Sequence, residues 1–230
     1  MAPVDPKHGA PVALVVGAGP GIGGAFAAGL VARGYRVAVA SRNVDKLTPL
    51  AVSLGARPYV ADAARTSSLV DLFAAVETDL GAPEVVLFNP SARVRGPITE
   101  LDAAAVAHAV HTTAIGAFVV AQEAARRMVE RGRGALFFTG ATASVKGFAQ
   151  SSGFAMGKFA VRGLAQSLAR ELGPRGIHVA HFVIDGSVQP GDDPRTLTAT
   201  NIAKSYLAVL DQPPGAWSWE VELRSHVEPF

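Results

Sequence analysis

Short, β-branched apolar runs recur along this chain, each followed by an Ala-rich stretch of helical character, and that alternation restricts the fold more than any other feature. Val12–Val16, Arg36–Ala40, Arg57–Ala61, Glu84–Phe88, Ala135–Thr139 and His178–Val183 read as strands. They are nearly continuously apolar, the pattern of parallel strands buried on both faces. Between them the sequence predicts helices near 21–33, 44–54, 66–80, 101–131 and 153–173. Ser67 and Asp102 are expected N-caps, and Gly34, Gly55, Gly132 and Gly173 expected stops. The segment after Val183 reads as irregular to about Thr200, then a short helix, then a last strand at Ser218–Leu223. Such alternation implies right-handed crossovers and a doubly wound α/β sheet of three layers. The 230 residues fit one domain, with its core at about 12–223. Function is then to be sought in the loops after the strands, because ligands bind outside their carboxyl ends.

Composition excludes several classes. The chain has no Cys, which rules out disulfides, thiolate metal sites and a Cys nucleophile. It is consistent with a reducing, cytoplasmic location. The 21 basic and 19 acidic residues leave a net charge of +2, without the clustered basic face of a nucleic-acid binder. No residue from Gly9 to Ala32 is charged, but glycines and Pro20 break that run, so neither a signal peptide nor a membrane span is expected. His108 and His111 can share a helix face, yet no third ligand shows matching spacing, and no metal is expected. His178 and His181, an odd number apart on a strand, should point to opposite faces. Trp217 and Trp219 should share one face by the same alternation and serve packing.

The first strand runs into Gly17-Ala18-Gly19-Pro20-Gly21-Ile22-Gly23-Gly24 and then the first helix. Gly19, Gly21 and Gly24 match the dinucleotide spacing GxGxxG, and Gly17, Gly21 and Gly23 match GxxxGxG. In either register the chemistry is a tight turn, a close backbone approach to a pyrophosphate, and helix N–H groups facing phosphates. The fold class is therefore a Rossmann-type, doubly wound parallel sheet. The second strand ends in Ser41-Arg42 where an NAD-preferring site would place Asp or Glu. Arg42, with Ser41 as a second donor, suits a 2′-phosphate and makes NADP the expected cofactor. Arg42 as a solvated residue opening the next helix is the plain alternative.

Together these motifs resemble those of the short-chain dehydrogenase/reductase family, over about Val12 to Leu223. Val16–Gly23 is similar to that family's TGxxxGIG loop, with Val in place of Thr. Asp62-Ala63 resembles the pair that holds the adenine, and Asn89-Pro90-Ser91-Ala92 resembles NNAG with only its first Asn kept. Phe154-Ala155-Met156-Gly157-Lys158 resembles YxxxK, and Asp185-Gly186 the PG turn after the sixth strand. The resemblance implies cofactor contacts from Gly17, Gly19, Gly21, Ile22, Gly23, Ser41, Arg42, Asp62, Ala63, Asn89, Lys158 and Gly186.

In that family a Tyr gives a proton to the carbonyl, a Lys lowers the Tyr pKa and holds the nicotinamide ribose, a Ser polarises the substrate oxygen, and an Asn supports a relay water. The resemblance puts Phe154 at the Tyr position, Lys158 at the Lys, Ala141 at the Ser and Thr113 near the Asn. A phenyl ring has no O–H and an Ala side chain no hydrogen bond, so ordinary carbonyl reduction should be severely impaired. General acid–base help is worth ~10²–10⁴ in rate and an oxyanion donor about 10²–10³. Thr139, Thr142, Ser144, Ser151 and Ser152 are nearby hydroxyls, expected to serve loops and caps. Lys158 is the strongest remaining acid beside an oxidised nicotinamide.

Three readings of function follow, the first two from different classes. One is an NADP-dependent oxidoreductase with an atypical site, acting on a small carbonyl, alcohol or enone. The other is a catalytically inactive NADP-binding pseudoenzyme or assembly subunit. A third is an oligomeric partner that binds no nucleotide. The resemblance also implies a homodimer or homotetramer through the fourth and fifth helices, with substrate identity set by 187–206.

Overall fold

The protein is described from a computed structural model covering residues 9–191 and 193–227. The elements run β1 (Val12–Val16), α1 (Ile22–Val31), β2 (Arg36–Ser41), α2 (Val44–Leu54), β3 (Arg57–Val60), α3 (Thr66–Leu80) and β4 (Val85–Phe88). They continue through α4 (Ala103–Val110), α5 (Gly116–Arg131), β5 (Gly134–Thr139), α6 (Ser152–Leu172), β6 (Ile177–Asp185), α7 (Ala199–Leu210) and β7 (Glu220–Arg224). The seven strands form one sheet in the order β3-β2-β1-β4-β5-β6-β7, and every neighbouring pair is parallel. This is a single-domain, doubly wound α/β fold.

Alternation along the strands builds two cores. Leu14, Val86, Leu136 and Val179 face the layer of α3, α5 and α6, where Phe73, Val120 and Val161 meet them. Val15, Leu87, Phe137 and Phe182 face α1, α2 and α7, where Phe26, Leu47 and Tyr206 close the other layer. Burial on both faces explains why these strands read as unbroken apolar runs. His178 and His181 do take opposite faces: His178 stacks on Trp217 at 4.8 Å, while the ring of His181 reaches Glu220 at 3.0 Å.

The local signals hold in part. Asp102 caps α4 by accepting from the N–H groups of Ala104 and Ala105, and Gly55 and Gly132 end α2 and α5 in the left-handed region. Ser67 is not a cap, because α3 starts one residue earlier after Arg65. α6 ends at Leu172 with Gly173 as its C-cap, but Gly173 keeps helical dihedrals and opens a 3₁₀ turn, so Gly176, at φ +81°, makes the reversal into β6. The single long helix expected over 101–131 is interrupted by a π turn, His111–Ile115. Trp217 and Trp219 do not share a face. β7 begins only at Glu220, so strand alternation does not apply to them, and Trp219 instead lies under Arg162 of α6 at 5.8 Å. Ala103–Arg131 is long and apolar enough to cross a membrane by length and composition, but Val119, Val120, Ala124 and Met128 spend its apolar surface on the core.

Candidate active site

Strand order reverses between β1 and β4, which opens a crevice at their carboxyl ends. The register is level there, with Val16 beside Phe88 and Phe88 beside Phe138, so the loops after β1, β4 and β5 converge. Gly17 sits at φ +80°, and a Cβ on it would meet Pro90 at 2.8 Å, so the loop after β4 demands glycine here. Asn89 ties the two loops together by donating from Nδ2 to the Gly17 carbonyl at 3.0 Å. On the other side the Gly17 and Ala18 N–H groups bond the Ala40 carbonyl at 2.9 and 3.0 Å.

Gly19 and Gly21 face open space, and Gly23 and Gly24 instead pack closely against the Gly17 and Gly19 carbonyls. No side chain caps the start of α1. Open glycines in front of an uncapped helix N-terminus leave the cradle a pyrophosphate needs. Arg42 is exposed at the end of β2, without an ion-pair partner among the described residues. Ser41 spends its proton on the Asn43 carbonyl at 3.0 Å, so it is not poised as a phosphate donor. Asp62 accepts from the Ala64 N–H and lies 3.5 Å from Arg65, leaving it partly exposed at the crevice edge. Ala63 is buried against α5, where a Cβ on Gly116 would meet its carbonyl at 2.6 Å, so only its backbone can serve a nucleotide. These residues fit a dinucleotide.

A cleft of about 650 Å³ continues from the loops after β4, β5 and β6, and Asn89, Ala141, Phe154, Lys158 and Gly186 all line it. Lys158, on α6, is only 2% exposed and donates to the Thr139 carbonyl at 2.7 Å. Burial, reinforced by the Arg93 guanidinium, pulls its pKa down to about 7. The buried Phe154 ring lies between two cations, with Lys158 Nζ 6.0 Å and Arg93 Cζ 4.2 Å from its centroid.

Most of the hydroxyls are committed to structure. Thr139 accepts from the Tyr206 phenol at 3.1 Å, Thr142 donates to Asp185 at 2.6 Å, and Ser144 accepts from the Ala141 N–H at 3.2 Å. Ser151 lines the cleft, and its hydroxyl does not cap α6. Thr113 does not join the cleft: buried in the π turn, it accepts from the Ala92 N–H at 3.1 Å and so holds the loop after β4 from behind. Sequence reasoning missed Arg93 and Arg95, which line the cleft beside Phe154. The rule that directs attention to post-strand loops covers their segment.

Among the described residues, no group of three or more His, Asp or Glu gathers as a metal site. The model of the short chain dehydrogenase family matches residues 11–191. The chain belongs to the short-chain dehydrogenase family. D-threitol dehydrogenase of Mycolicibacterium smegmatis is 30% identical over 173 residues, covering 73% of this chain and 66% of that enzyme. A short-chain dehydrogenase from Rhodopseudomonas palustris is 36% identical, with a TM-score of 0.83 over 93% of this chain and 97% of that one. A metagenomic short-chain oxidoreductase solved in complex with NADP shares the fold, with a TM-score of 0.86 at 22% identity over 96% and 99% of the two chains. This short-chain dehydrogenase is thus of an oxidoreductase family, and its Lys158 lies at the crevice where that family's fold brings loops together.

Proposed function

We propose that this chain is a cytoplasmic, NADP-dependent oxidoreductase with an atypical proton-transfer site, acting on a small carbonyl, alcohol or enone. The observation that carries the reading is Lys158: a buried ammonium, anchored to the Thr139 carbonyl, in a cleft continuous with the glycine loop. The exposed Arg42 at the end of β2 supports the choice of NADP, as does the NADP held by a neighbour of the same fold. When bound, the cofactor supplies or accepts a hydride equivalent. The chain's own part is to bind, orient and manage the proton. The uncapped N–H groups of α1 would hold the phosphates, and Asn89 braces the Gly17 turn by donating to its carbonyl. Lys158 holds a proton that is labile near neutral pH, because burial brings its pKa to about 7. Phe154 and Ala141, in the positions we assign to the family's Tyr and Ser, offer neither a proton nor an oxyanion donor.

A homo-oligomer is part of the same proposal, and its support lies outside the cleft. Phe118 on α5 and Met156 and Phe159 on α6 are 48%, 56% and 43% exposed, an apolar strip that suits a second copy of this chain.

The test is a titration with NADPH and NADH, followed by a screen of ketones, aldehydes and enones for NADPH oxidation. Tighter NADPH binding that Arg42→Ala weakens by about tenfold, as expected for a lost charge-assisted contact, supports the cofactor reading. Turnover lost in Lys158→Met at saturating NADPH, beyond what any weaker NADPH binding accounts for, supports the catalytic one. Binding without any turnover, with ketone reduction gained by Phe154→Tyr together with Ala141→Ser, would establish the pseudoenzyme instead. Failure to bind either nucleotide would sink both.

A further inference from the structure

The cleft beside Lys158 has an unbalanced charge. Arg93, Arg95 and Lys158 line it, and no Asp or Glu does. The nearby Asp185 is already engaged, accepting from Thr142 at 2.6 Å and lying 3.6 Å from Arg224. Several other guanidinium groups are neutralised by carboxylates: Arg33 by Asp211 at 2.7 Å, Arg127 by Glu123 at 2.8 Å, and Arg162 by Glu220 at 2.6 Å. Arg93 and Arg95 have no ion-pair partner among the described residues, although they share one loop and repel each other. Such an arrangement is unfavourable by itself and becomes favourable when an anion enters.

The ring of Phe154 adds geometry to the charge. Arg93 Cζ sits 4.2 Å from the ring centroid, within reach of a cation–π contact that fixes the side chain. A contact with a ring face takes up no hydrogen-bond acceptor, and a guanidinium's N–H fork matches two oxygens of one oxyanion. Ile22, Asn89, Lys158 and Gly186 line the cofactor side of this cleft, whereas Gly19, Gly21 and Arg42 do not line it, and neither arginine belongs to the glycine loop or the end of β2. We propose that Arg93, held on Phe154, and Arg95 form a receiving site for an oxyanion carried by the substrate, so that the preferred substrate is a carbonyl compound bearing a carboxylate or a phosphate. The substrate half of this statement rests on the oxidoreductase reading above. The anion site itself does not.

Binding is measured first, by calorimetry on the full chain with non-reacting malonate and inorganic phosphate, with and without saturating NADP. One of the two anions should bind, and the stronger one tells a carboxylate from a phosphate. Arg93→Gln should weaken that anion by about tenfold to hundredfold, the range for a charge-assisted pair. Arg93→Lys should recover only part of the loss, because it restores charge without the fork. Arg95→Gln serves as a second variant if Arg93→Gln fails to fold by circular dichroism. Turnover is then compared for acetoacetate against acetoacetamide, and for dihydroxyacetone phosphate against dihydroxyacetone. The charged member of a pair should be favoured by a similar factor in the wild type and not in Arg93→Gln. No anion binding, or anion binding indifferent to both arginines, overturns the proposal. So does a loss of NADPH affinity in Arg93→Gln, which would make the pair part of the cofactor site. Arg93-dependent anion binding in a chain that binds no NADPH would sink the oxidoreductase reading and leave the anion site standing.

Discussion

Replacing Lys158 with Met tests the electrostatics of the cleft without any ligand. The ammonium is buried, and its recorded hydrogen bond goes to the Thr139 carbonyl at 2.7 Å. Burial first, and Arg93 second, lower its pKa from 10.5 to about 7 in the folded protein. In the unfolded chain the ordinary value of about 10.4 returns. Between those values the unfolded state binds a proton that the folded state does not. Stability from this group therefore rises with pH through that window, by at most about 1.4 kcal/mol per pH unit. Below about pH 7 both states carry the proton and the cost of burying the charge is fully present; above about pH 10.5 both are neutral and it is gone. Met keeps the length and apolar stem and removes the titration.

Urea unfolding of wild type and Lys158→Met without nucleotide, at intervals from pH 6 to 9.5, isolates the effect. Contributions of distant groups cancel in the difference. The difference should be flat below neutrality and then move in favour of the wild type by roughly 2–3 kcal/mol between pH 7.5 and 9.5, the limiting slope accumulated over that span. The same curve in an Arg93→Met background should have its onset at higher pH, since a repelling charge has gone. A wild-type minus variant difference that stays constant across the whole range would refute burial of the ammonium as the cause of the shift.

Two further substitutions test the scaffold. Gly17→Ala places a Cβ 2.8 Å from Pro90 at φ +80°, so it should lower the melting temperature and abolish NADPH binding; the backbone conformation alone costs about 1–2 kcal/mol. Retention of wild-type affinity would show that this turn is not part of the cradle. Tyr206→Phe removes the phenol that donates to Thr139 Oγ1 at 3.1 Å in the fully buried layer between α7 and β5. It should cost about 1 kcal/mol by urea titration, the usual net worth of one buried hydrogen bond.

What could be read from the sequence divides according to how far its physical cause extends along the chain. The strands declared themselves because a doubly covered sheet needs apolar residues on both faces, and five or six neighbours suffice to show it. The glycine loop was legible for the same reason: the turn, the helix start and the close approach to Pro90 involve one short stretch and one contact. Alternation would give Trp217 and Trp219 one face only inside a strand, and β7 begins at Glu220, after both of them. Gly173 is the C-cap of α6, as its residue type suggests, but the reversal falls to Gly176, whose φ only the path into β6 sets. Arg93 was invisible for a stronger reason. Its partner, the Phe154 ring, lies on α6, about 60 residues further along the chain, and no local pattern links the two. Phe154 itself read as the loss of a hydroxyl. In the folded chain its ring face is also a support for a guanidinium, so the change that removes a proton donor leaves a surface on which a cation is held beside Lys158.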